Sequence, residues 1–335
     1  MKKKILMLAT GGTIASKQTT RGFAPELSPE DILSYVPRVS EICEVETYQV
    51  CSIDSTNMMP EHWVQMSKAI EKFYDQYDGF VICHGTDTLA YTAAALSYMV
   101  QHSPKPIVIT GAQRPIDMDV TDAKTNVLDS FVYASDPDSQ DVSIVFDGKV
   151  IRGTRAKKVR AKSYNAFESI NFPYTAVIQD QKVIRYLAPE HKAERPKFFH
   201  EMKKSVCVLK LTPGIKPEML SFVFEHYDGI VIESFGLGGI PESITEEFYR
   251  QMEKCDHENK CVVMATQVAN EGSNMTIYEV GKRVKQELNL MEAYDMTLEA
   301  TITKLMWLMS RPAMNPELIK SEFYRKINHD ILYKL

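Results

Sequence analysis

The segment Thr10-Gly11-Gly12-Thr13-Ile14-Ala15 sets a hydroxyl directly behind two glycines at the end of an apolar run. Paired glycines permit backbone angles closed to other residues and let a ligand approach the chain. Gly12 and Thr13 then stand at the mouth of a strand. A threonine hydroxyl becomes a nucleophile once a neighbouring base takes its proton. The same Thr13 equally fits the N-cap of a turn. A second apolar run ends in His84-Gly85-Thr86-Asp87-Thr88. It offers another hydroxyl, Thr86, and a carboxylate, Asp87, able to orient a base or grip an ammonium group. Taken alone, Asp87 or Thr88 reads better as the cap of a helix starting near Leu89. Asp54-Ser55-Thr56-Asn57-Met58 is a polar loop. Its small hydroxyl and amide groups suit the carboxylate and ammonium of an amino acid, or an ordinary turn. The stretch from Arg152 to Lys162 also carries Arg155, Lys157, Lys158 and Arg160. Most of these are solvated surface charges, while one lysine desolvated near a carboxylate would serve as a proton relay. Nothing local says which; strand alternation puts Lys158 and Arg160 on one face and Lys157 on the other.

The elements that position these groups read as alternating strands and helices. Ile5–Ala9, Gly79–Cys83 and Pro106–Thr110 are continuous apolar runs, as strands buried on both faces of a parallel sheet require. Helical patterns cover Glu61–Tyr74, Leu89–Val100 and Ala123–Ala134. From Val142 through Val177-Ile178 the chain breaks into short strand-like pieces. A polar, Pro-containing stretch, Ala188–Lys204, reads as a linker, after which strands (Val206–Leu211, Gly229–Glu233, Cys261–Ala265) and helices (Met219–Tyr227, Glu246–Cys255, Leu298–Met309) resume. The expectation is an α/β protein of two α/β domains. A larger N-terminal domain, 1–190, has a mainly parallel sheet flanked by helices. A linker, 191–205, leads to a smaller C-terminal α/β domain, 206–335. Ligands of open parallel sheets bind beyond the carboxyl ends of the strands. If the three N-terminal strands are neighbours, their Gly- and hydroxyl-rich ends, including Gly111-Ala112-Gln113-Arg114, line one crevice.

Composition excludes several classes. The 335 residues are 44% hydrophobic and 25% charged with net charge -5, which is ordinary globular usage without the basic stripe of a nucleic-acid binder. No apolar segment reaches membrane-spanning length. The run after Met1-Lys2-Lys3-Lys4 is too short for a signal peptide. Six scattered cysteines without a CxxC pair suit a reducing compartment, so the cytoplasm is expected. Eight dispersed histidines indicate no metal site. There is no phosphate loop, HExxH, GxSxG or dinucleotide GxGxxG, and no cofactor is expected.

Taken together, TGGTIAS near the N-terminus and HGTDTLAYTA further on resemble the L-asparaginase family, in this order and each after an apolar strand. The resemblance continues through Ile109–Pro115, Asp122–Asn126, Arg152-Gly153 and Tyr294–Ala300, and it spans essentially the whole chain. The motifs and the lack of a signal peptide look like the cytoplasmic type I branch. The resemblance implies hydrolysis of L-asparagine to L-aspartate and ammonia, with Thr13 attacking the amide and forming an acyl-enzyme. It implies a second group of Thr86, Asp87 and a lysine; counting back from Phe167 selects Lys158 ahead of Lys157 and Lys162. Ser55 resembles the residue that binds the substrate α-carboxylate, with Asp54 and Thr56 beside it. Asp87 would hold the α-ammonium group, beside Gly85 and Gly12. Ala112 lies near the backbone group that polarises the amide oxygen. The family also implies a homo-oligomer, a dimer or a dimer of dimers, with active sites near the subunit contact.

One departure concerns the lid. Many family members carry a tyrosine there, but Thr20-Arg21-Gly22-Phe23-Ala24-Pro25 has only Phe23, which lacks a hydroxyl. Tyr294 is the expected substitute phenol, from the same or a neighbouring subunit. Competing readings are a glutaminase-asparaginase, an amidotransferase subunit that releases ammonia for tRNA-dependent amidation, and a non-enzymatic amino-acid sensor. The first motif begins at residue 10, whereas the amidotransferase chains carry an additional N-terminal domain. A sensor would be expected to have lost Thr13, Thr86, Asp87 or Lys158, all of which are present. Two-domain periplasmic-type binders share the architecture, which by itself does not decide function.

Overall fold

The computed structural model describes residues 2–19, 22–189, 195–277, 285, 290–312 and 314–333, without the side chains of 18, 19, 22–25, 256 and 257. The chain forms two compact units, Met1–His200 and Glu201–Leu335.

In the first unit, β1 (Lys4–Gly11), β4 (Glu44–Ile53), β5 (Gly79–Cys83), β7 (Pro106–Thr110) and β8 (Asp141–Phe146) run parallel in the spatial order β8-β7-β5-β1-β4. Antiparallel strands β9 (Lys149–Arg152), β12 (Ala176–Gln179) and β13 (Lys182–Arg185) extend the sheet beyond β8. The continuous apolar runs are explained by burial of both faces. Ile5, Met7, Val81, Cys83 and Val108 pack with helices α1 (Pro29–Ser34), α2 (Val39–Ile42) and α5 (Ala123–Ser135). The alternate residues Leu6, Leu8, Phe80, Ile82, Ile107 and Ile109 are equally buried, on the side of α3 (Pro60–Phe73) and α4 (Leu89–Met99). The three strands read from the sequence are therefore neighbours, and their carboxyl ends lie side by side.

Two short antiparallel pairs also belong to this unit. Ser16–Thr19 (β2) and Gly22–Pro25 (β3) pair as an antiparallel hairpin on the expected lid. Thr20, Arg21 and the side chain of Phe23 lie outside the described residues. Ala156–Lys158 (β10) pairs with Phe167–Ser169 (β11), with Lys158 directly opposite Phe167. Arg160 lies beyond the end of β10, so the strand alternation expected to carry it onto the face of Lys158 stops short of it.

The expected linker 191–205 is not entirely a linker. Lys197-Phe198 (β14) pairs antiparallel with Val100-Gln101 (β6), and Ser67 Oγ donates to Phe199 O. Phe198 sets its ring edge-on against Tyr74. Apolar contact and ladder bonds hold this polar-looking segment on the first unit; 190–194 lie outside the described residues.

The second unit holds a parallel sheet in the order β15 (Val206–Lys210), β16 (Gly229–Ser234), β17 (Cys261–Thr266), β18 (Met291–Glu292). Helices α6 (Pro217–His226) and α7 (Glu242–Glu258) cover one face through Leu220, Phe224, Ile244 and Phe248. The helix expected over Glu246–Cys255 starts earlier and ends where Asn259 turns left-handed at φ 54°. Among the described residues no helix is long and apolar enough to cross a membrane.

Candidate active site

At the end of β1 the backbone takes φ 94° at Gly11 and φ 77° at Gly12, a region that disfavours any side chain. Space forbids one as well. A methyl on Gly11 would lie 2.6 Å from the backbone of Ile53, and one on Gly12 would lie 2.3 Å from Gly85 N. Gly12 N–H donates to Ile53 O (2.9 Å), fixing the turn on β4. Thr13 then opens a one-turn 3-10 helix through Ala15. Ile14 and Ala15 are buried and anchor the turn, while Thr13 is partly exposed. Its hydroxyl makes no hydrogen bond among the described residues, and no side chain caps the turn. The capping alternative for Thr13 thus finds no bond to support it.

Gly85 follows β5 and touches both neighbouring turns. A methyl there would lie 2.5 Å from Ser55 Oγ and 3.1 Å from Gly12 Cα. Ser55 is buried in a short 3-10 turn, and Thr88 Oγ1 donates to its carbonyl (2.8 Å). Asp54 is exposed and caps that turn, accepting from Thr56 N and Thr56 Oγ1, both at 2.9 Å. The plain turn reading therefore accounts for the carboxylate of Asp54 and the hydroxyl of Thr56. Ser55 is the member of this loop placed against Gly85.

Thr88 occupies the N-cap position of α4, but neither its side chain nor that of Asp87 makes a capping bond. Instead Lys158 Nζ, at the end of β10, donates to Thr86 Oγ1 and to Asp87 Oδ1, each at 2.7 Å. Thr86 is buried, and the Asp87 side chain is 57% exposed, so this ion pair faces solvent on the carboxylate side. Thr86 Oγ1 donates in turn to Gln113 Oε1 (3.2 Å), whose amide is held by Nε2–H bonds to Arg160 O (3.3 Å) and Ser163 O (3.1 Å).

The turn Gly111–Arg114 closes the group. Its Ala112 is fully buried, and Gly111 packs against His84 O. The Asp122 carboxylate accepts from Gln113 N (2.9 Å) and Arg114 N (3.1 Å), and Asn126 Nδ2 donates to Gly111 O (3.0 Å). Burial pushes the Asp122 carboxyl upward, opposed by these backbone bonds. Reading by residue type missed Gln113, Asp122 and Asn126 as site-builders. Their only signal was membership of the quoted motifs.

The first unit thus brings Gly12, Thr13, Ser55, Gly85, Thr86, Asp87, Lys158 and the Ala112 turn to one sheet edge. Tyr294 belongs to the second unit. There it is buried at φ 49°, its phenol oxygen accepting from Lys285 Nζ (2.8 Å), which also pairs with Glu292 (2.7 Å). Among the described residues no group of three or more His, Cys, Asp or Glu side chains is arranged to hold a metal ion.

Residues 4–191 match the family described as Asparaginase, N-terminal, and residues 205–323 match the Glutaminase/Asparaginase C-terminal domain. The chain belongs to the asparaginase family. An L-asparaginase from Thermococcus kodakarensis is 40% identical, over 91% of this chain and 92% of that one. A solved structure of the thermostable L-asparaginase of that organism superposes with a TM-score of 0.91 at 39% identity, covering 99% and 100% of the two chains. L-asparaginase I from Vibrio cholerae superposes at 0.88 with 27% identity, covering 99% and 100%. Amidotransferases are similar as well. A glutamyl-tRNA(Gln) amidotransferase chain from Methanosphaera stadtmanae is 35% identical, over 91% of this chain and 72% of its own length. The two-unit α/β architecture is the one these asparaginase structures share.

Proposed function

We propose that this asparaginase-family enzyme hydrolyses the side-chain amide of L-asparagine to L-aspartate and ammonia, with Thr13 as nucleophile. The observation that carries the reading is the partly exposed Thr13 hydroxyl, without a hydrogen bond among the described residues, on a two-glycine turn at positive φ. That turn is packed against Gly85, next to the bonded Thr86–Lys158–Asp87 group. Thr13 Oγ attacks the amide carbon. Its proton passes to the departing nitrogen, the C–N bond breaks, and ammonia leaves an aspartyl ester on Thr13. Water then cleaves the ester and restores the hydroxyl. In the neutral form Lys158 accepts the proton from Thr86, which deprotonates the attacking water, while Asp87 steadies the ammonium form. Ser55 holds the α-carboxylate and Asp87 the α-ammonium group. Asp54 and Thr56 shape the Ser55 loop, and the Ala112 turn aims a backbone group at the developing oxyanion.

Tyr294 supplies the phenol that Phe23 lacks, brought to the site in a homo-oligomer, a dimer or a dimer of dimers with active sites near the subunit contact. A cytoplasmic location accords with cysteines that form no disulfide among the described residues. Secondary glutaminase activity is expected to be weak rather than nil, because one methylene is worth about 1–3 kcal/mol of discrimination.

Hydroxylamine added to the asparagine reaction tests the ester intermediate. The hydroxamate of aspartate should form at the expense of aspartate. Ammonia release with no hydroxamate at any hydroxylamine concentration would overturn the acyl-enzyme. The identity to amidotransferase chains favours a second reading, in which ammonia appears only with a partner protein and aminoacylated tRNA. Turnover of free asparagine by this chain alone rules it out.

A further inference from the structure

His84 closes β5 just before the Gly85 turn, is fully buried, and has no part in the chemistry above. Its ring is bonded at both nitrogens. Nδ1 lies 2.7 Å from Gly85 O and Nε2 lies 2.9 Å from Thr92 Oγ1, on α4. Trp63 Nε1, on α3, donates to the same Thr92 oxygen at 2.9 Å. The two ends of this chain dictate its direction. An indole N–H only donates, and a carbonyl oxygen only accepts. Trp63 therefore donates to Thr92, the Thr92 hydroxyl donates to Nε2, and Nδ1–H donates to Gly85 O. One neutral tautomer satisfies every group, and burial keeps the ring neutral by pushing its pKa down to about 4.

The recipient of this relay has no slack. Gly85 is wedged between Gly12 and Ser55 at distances that exclude even a methyl group. Its carbonyl shares a peptide plane with the nitrogen of Thr86. Rotating that plane would swing Thr86 and press on the Gly12-Thr13 turn together.

We infer that His84 is a positioning residue. The relay from Trp63 through Thr92 and His84 fixes the Gly85 peptide, and with it the spacing of the Thr86 hydroxyl from Thr13. The inference rests on the asparaginase reading, because hydrolysis is what displays the spacing. Small displacements of reacting groups cost turnover steeply, while the α-carboxylate grip of Ser55, seated on its own turn, is largely spared.

The test compares Thr92→Val, which keeps shape but cannot donate to Nε2, with Thr92→Ser, which restores the hydroxyl. Trp63→Phe breaks the far end of the relay and carries the test if Thr92→Val does not fold. Each is assayed on asparagine well below its own Tm. The expected result is a kcat lower by about 10-fold or more for Thr92→Val at a KM within about 3-fold, with Thr92→Ser back near wild type and Trp63→Phe between them. A lowered Tm with unchanged kcat in the folded variants would make the relay merely structural and overturn the inference alone. A wild-type chain that releases no ammonia would instead overturn the asparaginase reading, and this inference with it.

Discussion

Lys158 Nζ donates to Thr86 Oγ1 at 2.7 Å, across a sequence separation of 72 residues, while its second bond goes to Asp87. This contact engages the Thr86 and Asp87 side chains away from the start of α4. A capping turn would direct Asp87 or Thr88 at the first N–H groups of α4; here Asp87 faces an ammonium group and Thr88 bonds Ser55 O. Replacing Lys158 by Met should therefore lower kcat by about 10²–10⁴-fold. Because the carboxylate side of the pair is solvated, stability should change by only about 0–1 kcal/mol. Steady-state kinetics beside a denaturant titration checks both; large unfolding with intact kcat would reverse the assignment.

Gly85→Ala should disturb substrate grip. The added methyl would meet Ser55 Oγ at 2.5 Å, so Ser55 must move, raising KM and destabilising the fold by about 1–3 kcal/mol. Gly239→Ala, whose methyl would find its nearest atom at 3.4 Å, is the control and should behave as wild type. Equal KM values for the two variants would count against the placement of Ser55.

The strands and helices around this site were legible because local pattern carries them. Ile5–Ala9, Gly79–Cys83 and Pro106–Thr110 are apolar at every position, and each stops at a glycine- or hydroxyl-rich turn. Partnerships across the sheet were less accessible. Lys158 could be chosen only by counting from Phe167, and the β10–β11 ladder sets these two directly opposite. Gln113 reaches Ser163, and Trp63 reaches Thr92 and through it His84; no periodicity announces such pairs. The segment read as a linker looked polar because Phe198 is the only large ring of the β14 pairing, and Val100 had been read as the end of a helix.

The proposed mechanism gives Tyr294 the role that Phe23 cannot fill. Its phenol oxygen already accepts from Lys285, at a backbone angle unusual for a tyrosine. Tyr294→Phe should lower kcat by about 10²-fold, within the range of a lost proton-transfer group. Near-normal turnover in a folded variant would remove Tyr294 from the mechanism.

Stability should depend on pH through Asp129 on α5. Burial pushes its carboxyl up to about 6, and it makes no hydrogen bond or ion pair among the described residues. An unfolded aspartate titrates near about 3.9. The folded state therefore binds the extra proton between these values, and stability falls as pH rises from about 4 through about 6. Asp129→Asn should be more stable than wild type by about 1–2 kcal/mol at pH 8, with the advantage fading below about pH 4. Denaturant midpoints at the two pH values measure it; an advantage that grows on acidification would contradict the sign.

The central claim is that the Thr13 hydroxyl breaks the amide. Ammonia release from L-asparagine and from L-glutamine, measured side by side for wild type and Thr13→Ala, tests it most directly. The account predicts clear release from asparagine, a lower rate on glutamine, and loss of both by at least about 10³-fold in a variant that keeps its Tm. Release from asparagine that persists in Thr13→Ala, or a well-folded wild type that releases none, would contradict it.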